Sequence, residues 1–384
     1  MDKLTLDLNS VDHKTIENLL NKGLDIDCCG IYKKLCHSPL MAAVKENNVE
    51  LVKFILSKGA DPNKLIPCHI TYAMTAFHAA IFTENIDIKI IQYLIDYGAD
   101  VNYPAIDREK GHEVHSSPLQ YAVHSQDEKI VSLLLSKNAD VNFKSKNDGT
   151  ALHIACIYEN SNIVRYLLEY GANVNVESDD NLMKGQTPLF VAISWNQTEA
   201  VKLLLDNDAN INVTNFNGKS VLKLLNENTD EKINIMVRQH VVKLMAANYY
   251  VDTNILQEVV NDNTLIDFHK ICINEINKMK REKIYGTSVV YHHIMIKSIH
   301  QLALLAKNER IKSGLLDPVK LENIFPHYAY ILINRFKKGL ERKKLLDKAE
   351  KFIFDFFIDE LPNTFIRQLL FYFRNRDLEI LNTG

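Results

Sequence analysis

The sequence predicts an all-α solenoid of short paired helices, followed by a helical C-terminal domain of different character. Two observations predict the solenoid. A cap-like signature opens short apolar stretches at Ser38-Pro39-Leu40, Thr75-Ala76-Phe77-His78, Ser117-Pro118-Leu119, Thr150-Ala151-Leu152-His153 and Thr187-Pro188-Leu189. A helix-ending signature follows each one, at Gly59-Ala60-Asp61, Gly98-Ala99-Asp100, Asn138-Ala139-Asp140, Gly171-Ala172-Asn173 and Asp208-Ala209-Asn210. Two signatures alternating in order mark a chain of stacked units, none of which can bury its apolar faces alone. A third observation predicts the C-terminal domain: beyond about residue 250 glycine becomes rare and helical periodicity takes over.

The stretch Asn147–Asn175 states the unit most clearly. Asp148-Gly149 makes a tight turn, because glycine accepts a positive φ. Thr150 is placed to cap a first short helix, whose buried side is Leu152, Ile154 and Ala155. A second helix from Asn162 carries Ile163, Val164, Leu167 and Leu168 at helical spacing. Gly171 sits where a helix closes in the left-handed conformation. Where proline follows the cap it costs nothing, since its missing N–H would be an orphan at that position.

In chain order, Val11–Asp27 reads as the second helix of a degenerate first repeat, with Ile16, Leu19 and Leu20 apolar. Five clear repeats follow, near Cys36–Asn63, Thr75–Asn102, Ser117–Asn142, Gly149–Asn175 and Gly185–Asn212. Insertions fall at Lys64–Met74, Tyr103–Ser116 and Val176–Lys184, in loops on one side of the stack. A poorer sixth repeat starts at Asn217; its second helix, Ile233–Ala247, lacks the Gly-Ala-Asp ending. The array is thus expected over residues 1–248, with six to seven repeats, and the helical domain over 254–384. Helices are expected there at Thr264–Lys283, Ser288–Lys312, Pro318–Lys348 (interrupted at Pro326) and Lys351–Asp359.

Composition sets the class. The hydrophobic fraction is 46% and the charged fraction 24%, ordinary for a soluble globular chain. A net charge of −3 argues against a nucleic-acid partner, which calls for a dominant basic field. The six cysteines, Cys28, Cys29, Cys36, Cys68, Cys156 and Cys272, have no zinc or disulfide spacing and read as reduced thiols of an intracellular protein, expected to be cytoplasmic with a nuclear location as the alternative. No leader and no run of 18 apolar residues is seen, so no membrane partner is expected; Val289–Ala306 is interrupted by polar residues and reads as one amphipathic helix.

No catalytic constellation emerges, and the chain is expected to be no enzyme and to need no cofactor. His112-Glu113-Val114-His115 is one residue short of the helical zinc-protease spacing, so no metal site is expected. His78 and His153 read as histidines bonding neighbouring turns rather than as bases. The basic run Arg335, Lys337, Lys338, Arg342, Lys343, Lys344 and Lys348 reads as a solvated helix face, with a nuclear-import or acidic-partner patch as the alternative.

The cap and ending signatures over Val11–Asn248 resemble those of ankyrin repeats. The segment Leu361–Leu378 resembles the start of an F-box at Leu361, Pro362, Phe365, Ile366, Leu369, Phe373, Asp377 and Leu378. It departs from that pattern at Thr364, where an acidic residue is usual, and only 24 residues remain from Leu361. Together with Asn334–Leu346, this makes Met279–Gly384 similar to the PRANC arrangement of poxviruses, parasitoid wasps and some intracellular bacteria, an ankyrin array ending in a truncated F-box. The resemblance implies a substrate adaptor: the array recruits a target protein, and Leu361, Pro362, Phe365, Ile366, Leu369 and Phe373 dock on the adaptor subunit of a cullin-RING (SCF-type) ubiquitin ligase. The other reading is a stand-alone binder or decoy that inhibits a signalling protein (NF-κB-like) without a ligase.

In ankyrin stacks the positions closing each first helix face a groove. Here they are Lys45-Glu46, Phe82-Thr83, His124-Ser125, Ile157-Tyr158 and Ser194-Trp195. Phe82, His124, Tyr158 and the sole tryptophan, Trp195, are therefore the expected partner-binding residues, as aromatic anchors in a concave site. The competing reading is that these rings pack on the neighbouring insertion loops.

Overall fold

The computed structural model describes residues 6–7, 12–28, 30–32, 35–67, 72–107, 114–145, 149–179, 185–225, 229–260 and 262–356, with residues 370, 373, 375 and 378 near the end. Packing divides the chain into two units: residues 1–203 with 214–219, and residues 204–213 with 220–384.

In the first unit the repeated pair of short helices appears as expected. α1 (His13–Asn21) buries Ile16 and Leu19. Then come α2 (Pro39–Lys45) and α3 (Val49–Ser57), α4 (Ala76–Phe82) and α5 (Ile88–Asp96), α6 (Pro118–His124) and α7 (Glu128–Ser136), and α8 (Ala151–Ala155) and α9 (Ser161–Glu169). α10 (Pro188–Ser194) and α11 (Thr198–Asp206) follow. First helices stack on first helices through α2, α4, α6, α8 and α10. Nearly every residue of these first helices is buried, including Ala42, Ala80, Ala122, Ala155 and Ala192; small side chains let the stacked backbones approach closely. Gly171 closes α9 at φ 86°, and Asn138 takes the same left-handed conformation at φ 63°, as the ending signature requires.

The ending signature also forms a ladder between repeats. Asn63 donates its side-chain N–H to the Gly98 carbonyl (2.8 Å) and accepts from the Asp100 N–H (2.8 Å). Asn102 repeats this with Asn138 (3.4 Å) and Asp140 (2.7 Å), and Asn142 with Gly171 (3.2 Å) and Asn173 (2.8 Å). One amide per repeat thus satisfies a donor and an acceptor left over at the next helix end.

The cap positions build a second, buried network. Nδ1 of His78 accepts from the Thr75 N–H at 3.3 Å, and its Nε2 lies 2.9 Å from the Tyr103 carbonyl. His153 does the same with Thr150 (3.1 Å) and Gln186 (3.1 Å). A carbonyl only accepts, so Nε2 carries the proton and Nδ1 the lone pair. In the third repeat Gln120 takes over both roles: Oε1 accepts from the Ser117 N–H (2.8 Å) and Nε2 donates to Gly149 (2.9 Å). The fifth repeat has Phe190 at that place, and the buried Thr187 hydroxyl has no hydrogen-bond partner. Thr187→Val is therefore expected to leave stability unchanged or raise it slightly. Thr150→Val, which removes the hydroxyl 2.9 Å from His153 Nδ1, is expected to cost about 1 kcal/mol. Urea melts of the two variants check this; equal losses would contradict it.

The segments between helices, including the first two insertions, contain strands that an all-α reading does not anticipate. β1 (Leu6–Asp7), β2 (Gly30–Tyr32) and β3 (Leu35–His37) form one small sheet. β4 (Ile66–Pro67), β5 (Tyr72–Met74), β6 (Ala105–Asp107) and β7 (Val114–Ser116) form an antiparallel four-stranded sheet in that order. β8 (Lys144–Ser145) pairs with β9 (Gly149–Thr150). His112 and Glu113 lie outside the described residues, and Val114 and His115 are in a strand, not on a helix.

In the second unit α12 (Val221–Leu224) and α13 (Glu231–Ala246) fall where the sequence pattern places a sixth repeat. Its ending is present in physical form without the sequence signature: Asn248 adopts φ 58°, and Asn212 bonds the Tyr250 carbonyl (3.0 Å) and the Asp252 N–H (2.8 Å). α14 (Thr253–Val260), which the sequence pattern did not suggest, and α15 (Thr264–Arg281) pack on α13. The single helix expected over Ser288–Lys312 is three: α16 (Tyr291–Ile296), α17 (Ile299–Leu305) and α18 (Glu309–Leu315). Lys297 is extended, and Ser298 starts α17 with a reciprocal cap to Gln301. α19 (Pro318–Ile324) ends before Pro326, and α20 (Ala329–Phe356) runs on through the break expected near Lys348.

α20 organises this unit, with α16 to α19 packed on it. Its start is held by Glu275, whose carboxylate accepts from the N–H groups of His327 and Tyr328 (both 3.1 Å) and lies 2.8 Å from His327 Nδ1. A carboxylate at orphan N–H groups is favourable for charge as well as for bonding.

The basic run on α20 is not a solvated face throughout, which corrects the sequence expectation. Arg335 donates to the carbonyls of Ile294 (3.1 Å) and Lys297 (2.8 Å), Lys338 pairs with Asp208 at 2.6 Å, and Arg342 is buried. Arg342 donates to Asn375 Oδ1 (2.9 Å) and to the carbonyls of Leu370 (3.4 Å) and Phe373. Leu370 and Leu378 are buried against Ala349, with Leu345, Leu346 and Phe373 around them. The guanidinium has five donors to satisfy, and Leu370, Phe373 and Asn375 supply acceptors.

Candidate functional site

The row of side chains closing the first helices lies wholly in the first unit. Phe82 is the last residue of α4 and is 50% exposed; Trp195 follows α10 and is 57% exposed. His124 ends α6, and Tyr158 follows α8 by three residues. Each sits where its helix runs out, so the backbone stays in the stack while the side chain projects beyond the packed alanines.

The structure brings these residues together in pairs. His124 Nδ1 is 3.0 Å from the Tyr158 hydroxyl, and the two rings meet edge to face at 6.1 Å. Phe82 packs on Tyr121, with ring centroids 4.3 Å apart and the planes tilted by 60°. Tyr121 carries no mark in the repeat signature; its one sequence signal is the three-residue step to His124 on the same helix face. The Phe82 ring therefore packs on the next first helix. Trp195 is joined to the row by position only: Gln197, two residues on, donates to the Ile157 carbonyl (3.0 Å), beside Tyr158. Phe82 and the His124–Tyr158 pair, held by neighbours yet open to solvent on one side, lose little freedom on binding, which favours them as anchors.

Of the C-terminal residues, Phe373 is half-buried against the Leu370–Leu378 cluster and its carbonyl is taken by Arg342. Leu361, Pro362, Phe365, Ile366 and Leu369 lie outside the described residues. Burial holds His78 and His153 down to about 4 and His240 to about 3, and it pushes the Cys156 thiol up. Among the described residues no cluster of histidine, cysteine and carboxylate side chains suits a metal ion, and no helix is long and apolar enough to cross a membrane.

The paired helices, the asparagine ladder and the buried Thr–His caps define an array of ankyrin repeats, a fold that works as a scaffold for binding other proteins. Residues 40–145 and 119–215 match the family model described as ankyrin repeats. The chain is similar to a putative ankyrin repeat protein of fowlpox virus (strain NVSL), with 27% identity over 95% of this chain and 97% of the relative. A second putative ankyrin repeat protein of the same virus is 29% identical over 50% of this chain and 92% of its own length. Among solved structures, the ankyrin repeat domain of Bcl-3, described as a unique member of the IkappaB protein family, is 22% identical with a TM-score of 0.47, covering 59% of this chain and 91% of that one.

Proposed function

We propose that this chain is a non-enzymatic adaptor that holds a target protein on the row Phe82, Tyr121, His124, Tyr158 and Trp195 and presents it to a cullin-RING ubiquitin ligase through its C-terminal segment. The observation that carries the first half is the exposure of the two large rings at the ends of the row, 50% for Phe82 and 57% for Trp195. The second half is supported by the F-box-like positions Leu361, Pro362, Phe365, Ile366 and Leu369. The similarity to the fowlpox protein extends over 95% of the chain and so takes in the helical domain as well as the array. The array over 1–248, the helical domain over 254–384 and a cytoplasmic location belong to this reading.

One observation favours the decoy reading instead. Leu370, Phe373 and Leu378 are spent on the packing around α20, so part of the C-terminal apolar stripe already has a surface. The test is affinity purification of the full chain from cells. The adaptor reading expects the cullin and its adaptor subunit to co-purify, and Leu361→Ala/Pro362→Ala to lose both while the captured target remains. The Arg342 contacts are made to Leu370, Phe373 and Asn375, none of which is substituted. If neither subunit co-purifies, or the variant retains both, the decoy reading replaces the adaptor.

A further inference from the structure

We propose that the aromatic row takes an extended, positively charged segment of its target, with arginine or lysine side chains laid on the exposed rings. This deepens the preceding reading and rests on the row being the target-binding surface.

Charge carries the inference. The four turns that close the first helices in this part of the stack read Phe82-Thr83-Glu84-Asn85, His124-Ser125-Gln126-Asp127, Ile157-Tyr158-Glu159-Asn160 and Ser194-Trp195-Asn196-Gln197. They contain three carboxylates and no lysine or arginine. Asp127 is committed to capping α7, where its carboxylate accepts from the N–H groups of Lys129 (2.9 Å) and Ile130 (3.1 Å). Glu84 and Glu159 are exposed, and each stands within two residues of a ring of the row, Phe82 and Tyr158. The face of an aromatic ring attracts a cation through its quadrupole, most strongly for tryptophan. A nearby carboxylate adds Coulomb attraction of the same sign, and an arginine fork satisfies carboxylate and ring together. An acidic segment would meet two like charges, and these four turns hold no lysine or arginine to offset them. A purely apolar segment would leave the carboxylates to be desolvated unpaired.

Trp195 is the sole tryptophan, so its emission reports on the row in the intact protein. The probes are three peptides of about twelve residues, alternating leucine with arginine, with glutamine or with glutamate. The arginine peptide is expected to shift Trp195 emission and to bind at least about tenfold more tightly than the glutamine peptide, a preference that shrinks as salt rises. Glu84→Gln/Glu159→Gln is expected to narrow the preference to within about threefold. Equal binding of the arginine and glutamine peptides, tighter binding of the glutamate peptide, or no shift with any of the three overturns the inference.

Phe82→Ala/Tyr158→Ala separates the two layers, read both with the peptides and by capture of the cellular target. If the variant loses the target while the wild-type peptides show no charge preference, the row is the docking surface and the basic segment is wrong. If it captures the target unchanged, the row itself is not the docking surface and the inference falls with it.

Discussion

Acidification from pH 7 to pH 4 is expected to remove several kcal/mol of stability, and substituting His78 and His153 by glutamine is expected to return much of it. Both histidines are buried, and both are held to about 4 by that burial, against an ordinary value near 6.5. The unfolded chain therefore binds protons more readily than the folded one. Stability is complete above about pH 6.5, falls as pH drops through the window from 6.5 to 4, and levels off below it. Each group contributes roughly 3 kcal/mol across that window by linkage. His240, held to about 3 in the second unit, adds a loss of the same sign.

The geometry explains why protonation is resisted. Nδ1 already accepts from the Thr75 or Thr150 N–H, and a proton there would set donor against donor. The third repeat supplies the control, since Gln120 makes both bonds with an amide that does not titrate. His78→Gln/His153→Gln is therefore expected to match the parent near pH 7.5 and to exceed it by several kcal/mol at pH 4. Urea titrations at four pH values measure this directly. Parallel pH profiles for parent and variant would show that these histidines are not held neutral by the fold.

How much of this was legible depends on whether a feature is stated locally. The repeats were, because each cap and each ending needs particular residues at fixed offsets: Thr150 before α8, Gly171 after α9, Asn142 two residues beyond Asp140. The split of the Ser288–Lys312 helix was legible in principle, since Ser298 and Gln301 have capping-box spacing, but the continuous apolar periodicity around them masked it. The ending at Asn248 was hidden because its Asp252 partner comes further beyond the left-handed asparagine than Asp140 does beyond Asn138. The fate of the basic run was not local at all. Arg342 and Lys344 look alike in sequence, and only the return of the chain at Leu370 and Phe373 makes one of them a buried clamp. In the candidate site, Phe82, His124, Tyr158 and Trp195 followed from their place in the repeat. Tyr121 did not, because its importance comes from the ring stacked on it from the preceding repeat.

Ala155→Glu is expected to cost about 3–5 kcal/mol, the charge-burial range for a site with no compensating partner. Ala155 is the last residue of α8, is 1% exposed, and lies in the layer where α8 is packed between α6 and α10. A methyl group fits between stacked backbones there; a glutamate side chain, bulkier by a methylene and a carboxylate, does not. It must either enter the layer unpaired or push the neighbouring helices apart, and an array held by its interfaces loses coupling at that point. The signature of that mechanism is a melt that broadens or splits as the repeats on either side unfold separately. Ser194→Glu is the matched control, since Ser194 ends α10 but is exposed; it is expected to shift stability by no more than about 0.5 kcal/mol. Thermal and urea melts of both variants decide the matter. An Ala155→Glu protein melting within about a degree of the parent would mean that the first helices do not stack in this register.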